Sequence, residues 1–135
     1  MALFYTDSSA LVKLVRTENH SPALRAFIGT ADLVSSESAL TEVTRALRRG
    51  VPRGRLLDRL ITNAGLLLDE IGLVPLDRAI LLAAGAFAEP NLRTLDAVHV
   101  ATALDAATID AFVTYDGRQA AVARLAGLRV VAPSS

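Results

Sequence analysis

The chain has 135 residues, 52% of them hydrophobic, and its 14 basic side chains balance its 14 acidic ones. This length and apolar content predict one domain over residues 1–135 and exclude an intrinsically disordered chain. The absence of cysteine excludes disulfides, zinc–thiolate sites and cysteine nucleophiles. No basic segment precedes an apolar run, and no apolar run could span a bilayer, so we expect a cytoplasmic protein without a membrane segment.

Short apolar runs that favour strands alternate along the chain with stretches of helical periodicity. The predicted strands cover residues 3–6, 32–35, 71–75, 111–115 and 128–132. The predicted helices cover residues 8–16, 21–29, 36–50, 52–68, 77–88, 95–106 and 118–126. Ser8 or Ser9 is expected to cap the first helix, and Thr94 the sixth. This alternation predicts an α/β domain whose central parallel sheet of about five strands is covered by helices on both faces.

Four acidic residues lie close to a predicted strand end or helix start, and they are Asp7, Glu42, Asp96 and Asp116. Ligands of open parallel sheets bind beyond the carboxyl ends of the strands, where Asp7 and Asp116 are expected. Clustered carboxylates repel each other, so a fold tolerates them mainly when they hold a divalent cation. The set predicts a magnesium site for phosphodiester hydrolysis, with Asp7 and Asp96 as direct ligands. Glu42 and Asp116 would bind the ion directly or through water.

Each acid also has an ordinary structural interpretation when it is considered alone. A carboxylate near a helix N-terminus stabilises the helix dipole, which accounts for Asp7 and Asp96. Most helical glutamates, such as Glu42, are solvated, and an aspartate followed by glycine, as at Asp116, is typical of a turn. The prediction of a metal site therefore depends on the joint placement of the four acids.

The four acids stand in four segments, which are YTDSSALVKL at 5–14, LTEV at 40–43 with RAL at 45–47, LDAVHVATA at 95–103, and VTYD at 113–116. These segments, in family order, resemble the motifs of PIN-domain ribonucleases of the VapC toxin type. Each motif is weak alone, whereas the four together, spread from the first strand to the last, are specific. The resemblance places the four acids in the metal site of that family and implies a PIN-like three-layer α/β/α fold.

The resemblance also implies a function. It implies an endoribonuclease toxin that uses Mg²⁺, or Mn²⁺ as a substitute, to cut a specific transfer RNA or ribosomal RNA and so inhibit translation. A homodimer is implied, together with a small VapB-type antitoxin that neutralises the toxin in a heterotetramer or larger complex. The alternatives are a PIN-fold domain that binds RNA or a partner without cutting, and a PIN nuclease outside the toxin class.

Other polar side chains near the four acids are further candidates. Hydroxyls expected to orient the acids belong to Thr6, Ser8 and Thr114, although capping a helix is the simpler role for Ser8. Contacts to RNA phosphate or to an antitoxin carboxylate are expected from Arg45, Arg49, Arg93 and Arg118. The arginine-rich stretch that contains the first two is equally consistent with a solvated surface. For His99, one helical turn after Asp96, we predict a packed, hydrogen-bonded structural role.

Two other acid-rich, doubly wound folds fit the sequence poorly. A signalling receiver domain would need an acidic neighbour for Asp7 and a lysine after a late strand, but no lysine follows Lys13. A haloacid-type phosphatase would need a second aspartate two residues after Asp7, where Ser9 stands.

Overall fold

The fold is described from a computed structural model that covers residues 1–106 and 108–134, so residues 107 and 135 of the predicted domain lie outside the described part. The strands are β1 (Leu3–Thr6), β2 (Asp32–Ser36), β3 (Gly72–Val74), β4 (Ala111–Val113) and β5 (Val130–Val131). The helices are α1 (Ser8–Val15), α2 (Ser21–Ile28), α3 (Ala39–Gly50), α4 (Arg55–Glu70), α5 (Arg78–Gly85), α6 (Thr94–Asp105) and α7 (Gly117–Leu125). No helix of this described part is long and apolar enough to cross a membrane.

The five strands form one parallel sheet in the order β3-β2-β1-β4-β5, which confirms the predicted sheet. Tyr5 of the central strand β1 pairs with Val34 of β2 on one side and with Phe112 of β4 on the other. The chain builds outward from β1 to β3 and then adds β4 and β5 on the opposite side. The strand order therefore reverses between β1 and β4, and such a switch point leaves a ligand-binding crevice at the carboxyl ends of the strands.

Helices cover both faces of the sheet, because successive side chains of a strand point to opposite faces. Phe4 packs on one face with Ala10 of α1 and Leu24 of α2. Tyr5 packs on the other face with Val100 of α6, in a cluster that also includes residues of α7. This arrangement confirms the predicted three-layer α/β/α architecture.

Two of the predicted helix caps are wrong, although strand and helix ends lie within three residues of the predicted ones. The N-cap of α1 is Asp7, whose Oδ1 accepts the backbone N–H of Ala10 at 3.0 Å, so Ser8 is already helical. The N-cap of α6 is Arg93, so Thr94 is the first helical residue rather than the cap. The backbone of Asp7 is still extended, as an N-cap requires, whereas Ser8 is already part of the helix.

Candidate active site

Asp7 follows β1 directly and is fully buried at the switch point. Its Oδ1 accepts the Ser9 hydroxyl at 2.7 Å and the Ala10 N–H at 3.0 Å, and its Oδ2 accepts the Thr114 hydroxyl at 2.6 Å. Burial raises the pKa of Asp7, and the attraction of His99 and these hydrogen bonds offset only part of that effect. The carboxylate is therefore fixed in one orientation, at a place where its negative charge is poorly compensated.

Glu42 lies in the first turn of α3, and its side chain is mostly buried. Its Oε1 accepts the Ser38 hydroxyl at 2.7 Å and contacts His99 Nε2 at 2.8 Å, while its Oε2 accepts the Ser8 hydroxyl at 2.9 Å. Burial alone would raise the pKa of Glu42, but the hydrogen bonds of His99, Ser38 and Ser8 outweigh it and hold the pKa below its usual range. Ser8 thus orients a candidate acid, as one of its two predicted roles required, and does not cap α1.

His99 is fully buried on α6 and connects Glu42 to the core of the sheet. Its Nδ1 lies 2.8 Å from the Tyr5 hydroxyl, and the two rings meet edge to face with centroids 5.9 Å apart. An ionised Glu42 can only accept, so Nε2 of His99 carries the proton and donates. Burial raises the pKa of Tyr5, so its hydroxyl stays protonated and is hydrogen-bonded to Nδ1 of the ring. The histidine is packed and hydrogen-bonded, and one of its partners is a candidate catalytic acid.

Asp96 and Asp116 begin two neighbouring helices, and Gln119 joins them. Asp96 lies in the first turn of α6, where Oδ1 accepts Gln119 Nε2–H at 2.9 Å and Oδ2 accepts the Arg93 N–H at 3.2 Å. Asp116 is the N-cap of α7, and its Oδ1 accepts the N–H groups of Arg118 at 2.8 Å and Gln119 at 3.1 Å. Gln119 therefore contacts one acid through its side chain and the other through its backbone.

Hydrogen bonds link Asp7, Asp96 and Asp116, and Glu42 lies beside them, so we call the four acids with the side chains that hold them the acid network. Thr114 joins Asp7 to Asp116, because its hydroxyl donates to the first and accepts the N–H of the second at 3.0 Å. Gln119 connects Asp116 to Asp96 on α6, and Glu42 accepts a hydrogen bond from Ser8, the residue that follows Asp7. Four segments far apart in the sequence thus meet at the switch-point crevice.

The donor chemistry of the acid network fits a divalent cation, because carboxylate oxygens are the hard ligands that Mg²⁺ prefers. Within residues 1–106 and 108–134, ion pairs are limited to Lys13–Glu18 at 3.2 Å and His99–Glu42 at 2.8 Å, so Asp7 has no ion-pair partner within 4.0 Å. In the same ranges, no three acidic or histidine side chains form a ready-made metal-binding group. A site with fewer than three such ligands, completed by water, would suit magnesium, because this ion keeps several of its waters in proteins.

A groove of about 460 Å³ opens beside Glu42 and carries two of the predicted arginines. Arg45 and Arg49 lie one and two helical turns after Glu42 on α3, and both line the groove together with Lys13 and Tyr115. Lys13 lies over the Tyr115 ring at 4.8 Å from its centroid. The mouth of the candidate site therefore combines one acidic end with a basic wall.

The other predicted side chains take different places. Arg118 lines a separate cavity of about 390 Å³ between α7 and the segment before α6. Arg93 is exposed at the start of α6 and contacts Asp96 through its backbone. The Thr6 hydroxyl donates to the carbonyl of Val34 at 3.4 Å, so it orients no acid in this structure, contrary to its predicted role.

Sequence reasoning missed four side chains of the acid network. Ser38 lies one helical turn before Glu42, a spacing that could have identified it. Ser9 lies two residues after Asp7, where a hydroxyl commonly bonds a capping aspartate. Tyr5 and Gln119 have no such local signal, since their side-chain partners are 94 and 23 residues away in the sequence.

Comparison with known proteins shows the family to which the chain belongs. The PIN domain family matches residues 4–125. The chain is 39% identical to Ribonuclease VapC46 of Mycobacterium tuberculosis over 136 residues, which cover 99% of this chain and 100% of that protein. It is also 39% identical to Ribonuclease VapC35 of that organism, over 97% of each chain.

A solved structure shares the fold. The crystal structure of Mycobacterium tuberculosis VapC20, a sarcin–ricin loop cleaving toxin, superposes with a TM-score of 0.74 over 96% of this chain and 99% of that chain, at 16% identity. At this identity the likeness concerns the fold, whereas the two relatives above share sequence along their whole length. The chain therefore belongs to the PIN-domain family, among its VapC ribonucleases, as its four sequence motifs predicted.

Proposed function

We propose that this protein is a Mg²⁺-dependent endoribonuclease toxin that cleaves a specific transfer RNA or ribosomal RNA and thereby inhibits translation. The observation that best supports this proposal is the acid network at the switch-point crevice. A capping or solvated role explains each acid singly, but it does not explain why acids from four segments converge. Membership of the VapC ribonucleases makes RNA the expected substrate.

The proposed roles of the four acids follow from their surroundings. Asp7 and Asp96 would hold the metal ion, and Glu42 and Asp116 would complete the site directly or through water. When bound, magnesium lowers the pKa of a coordinated water and neutralises charge on the scissile phosphate. Thr114 keeps Asp7 in one orientation, and the three donors around Glu42 do the same for that carboxylate. This fixed arrangement lowers the cost of gathering ligands around the ion.

Arg45 and Arg49 are the proposed contacts to the RNA backbone. Both line the groove beside Glu42, and in the part of the chain that the structure describes neither has an acidic partner within 4.0 Å. A phosphate contact would therefore break no existing ion pair. Because the chain has no net charge, attraction of RNA depends on this local basic wall. Arg93 and Arg118 are proposed for peripheral contacts to RNA or to the antitoxin.

The proposed partners follow from the same groove. A VapB-type antitoxin would neutralise the toxin by placing its C-terminal segment against the basic wall and the acids. The proposed toxin is a cytoplasmic homodimer that forms a heterotetramer or a larger assembly with the antitoxin. Leu81 and Leu82 of α5 are 49% and 65% exposed, which offers apolar surface for self-association.

Cleavage of RNA by the purified chain tests the proposal. The chain would be incubated with total cellular RNA in Mg²⁺, in Mn²⁺ and in EDTA, beside the variants Asp7→Asn and Asp96→Asn. The matched control is Asp77→Asn, because Asp77 is also an N-cap aspartate, accepting the Ile80 N–H at 2.8 Å, but lies on α5 outside the acid network. Asparagine caps helices nearly as well as aspartate, so this control should fold and cut normally.

We expect the parent and Asp77→Asn to produce discrete RNA fragments only when metal is present. Asp7→Asn and Asp96→Asn should produce none. Equal cleavage by every variant would reveal a contaminating nuclease. Retained RNA binding without any cleavage, including on purified transfer and ribosomal RNA, would instead favour a PIN-fold binding protein. Cleavage of DNA in preference to RNA would favour a PIN nuclease outside the toxin class.

A further inference from the structure

We propose that Gln119 is a positioning residue of the metal site, which fixes Asp96 and Asp116 and accepts a hydrogen bond from water held by the metal ion. The inference rests on the proposed metal-dependent nuclease and names a residue that no acid motif contains. Gln119 is only 4% exposed and lies in the first turn of α7. It is the side chain that connects α7 to the acid on α6.

The local sequence predicts a different use for this glutamine. Asp116 followed by glutamine three residues later matches a capping box, in which the glutamine side chain would bond back to the N-cap N–H. The Asp116 N–H donates instead to the Thr114 hydroxyl at 3.0 Å. The Gln119 amide is thereby left to reach across to Asp96, at 2.9 Å from Nε2 to Oδ1. Helix capping therefore does not account for the side chain.

The orientation of the amide is fixed by chemistry. Asp96 can only accept when ionised, so the group that faces it must be the Nε2–H₂ donor and not the carbonyl oxygen. Oε1 consequently points away from Asp96. Among the buried side-chain nitrogen and oxygen atoms of residues 1–106 and 108–134, Gln119 Oε1 is the one that has no hydrogen-bond partner.

A buried carbonyl oxygen without a donor destabilises a fold, and such atoms are uncommon in native proteins. This atom belongs to a side chain that already contacts two candidate ligands of a cation. The waters of a magnesium ion are strong donors, and the ion normally keeps several of them. Oε1 supplies an acceptor for such a water, while Nε2 holds Asp96 and the backbone N–H holds Asp116.

The test replaces Gln119 with methionine and, separately, with leucine. Both substitutions remove the unpartnered acceptor and the donor to Asp96 Oδ1 together, and because Asp96 then lacks that donor, some fall in Tm is expected beside the effect on metal binding. The matched control is Val122→Ala, a buried α7 residue that packs in the core with Phe112. Mn²⁺ binding would be measured by electron paramagnetic resonance, and the Mg²⁺-dependent rise in Tm by calorimetry. RNA cleavage would be followed as a function of metal concentration.

We expect the Mn²⁺ dissociation constant and the metal concentration for half-maximal cleavage to rise by about 10- to 100-fold in both Gln119 variants. Saturating metal should restore most of kcat. Val122→Ala should lower Tm and leave both metal-binding measures unchanged. Metal affinity within about twofold of the parent in both Gln119 variants would overturn this inference and leave the nuclease proposal standing. A parent that binds no metal would refute the proposed function and this inference with it.

Discussion

Replacing Tyr5 with phenylalanine would isolate one buried hydrogen bond of the acid network. The Tyr5 hydroxyl is hydrogen-bonded to His99 Nδ1 at 2.8 Å, and the opposite nitrogen of that ring donates to Glu42. The Tyr5 ring itself packs parallel to Phe112, with centroids 5.3 Å apart and an interplanar angle of 3°. Phenylalanine preserves this packing, so the change removes the hydroxyl and little else.

The magnitude follows from burial. Tyr5 and His99 are both fully buried, so water cannot replace the lost hydroxyl at Nδ1. A buried polar atom left without its hydrogen-bond partner costs roughly 1–3 kcal/mol. We therefore expect the free energy of unfolding to fall by about 1–3 kcal/mol, equivalent to a fall in Tm of about 4 °C per kcal/mol for a chain of this size. Cleavage should also slow by about tenfold, because His99 no longer holds Glu42 firmly.

Urea denaturation followed by circular dichroism would measure the loss, with Tyr115→Phe as the matched control. The Tyr115 hydroxyl also makes one short hydrogen bond, to the carbonyl of Pro133 at 2.7 Å, but Tyr115 is only half-buried. Its carbonyl partner can turn to water, so the control should lose no more than about 0.5 kcal/mol. If Tyr5→Phe lost no more stability than Tyr115→Phe, the hydrogen bond to His99 would not hold the network as described.

Three further predictions concern the acids and the groove. Burial raises the pKa of Asp7 in the folded state above its unfolded value, so the metal-free parent should lose stability as the pH rises through the folded-state pKa. Asp7→Asn should remove this loss, and urea denaturation at about pH 4 and about pH 8 would measure it. An equal pH dependence in both proteins would contradict the assignment. Thr114→Val should slow cleavage by about 10- to 100-fold, since Asp7 Oδ2 loses its 2.6 Å donor; unchanged kinetics would exclude that role. Arg45→Gln and Arg49→Gln should each reduce the slope of log RNA affinity against log salt by about 0.7 in a filter-binding titration, without changing Tm. Unaltered slopes would show that the RNA backbone does not contact these two arginines.

The architecture was predictable because its signals are local. Most strands contain a short apolar run, and β1 and β4 are apolar over almost their whole length because both faces of a central parallel strand are buried. Helix ends were less predictable where two neighbouring residues compete for one role. At the start of α1, both Asp7 and Ser8 are good caps, and only the extended backbone of Asp7 decides between them.

The placement of the four acids near strand ends and helix starts could be predicted from the sequence, whereas the side chains that hold them could not. Each acid stands in a motif with recognisable neighbours, and the positions of Asp7 and Asp116 after strands follow from the topology. Their hydrogen bonds do not, since Ser8 and Glu42 are 34 residues apart and His99 and Glu42 are 57 apart. Such contacts depend on how two helices pack across the sheet, which no local pattern records. Thr6 shows the converse error, because its closeness in sequence to Asp7 did not bring its hydroxyl to a carboxylate.

Asp7 and Glu42 are placed in opposite electrostatic conditions, which suits the different roles proposed for them. Asp7 is buried with its pKa raised, so its ionised form is the one that a cation stabilises most. Glu42 accepts hydrogen bonds from three side chains that keep its pKa low, so it stays ionised without a metal ion. Metal binding should therefore raise the stability of the fold mainly through Asp7. Environments that push the pKa values of two neighbouring carboxylates apart are typical of catalytic pairs, whereas a merely structural cluster has no need of the difference.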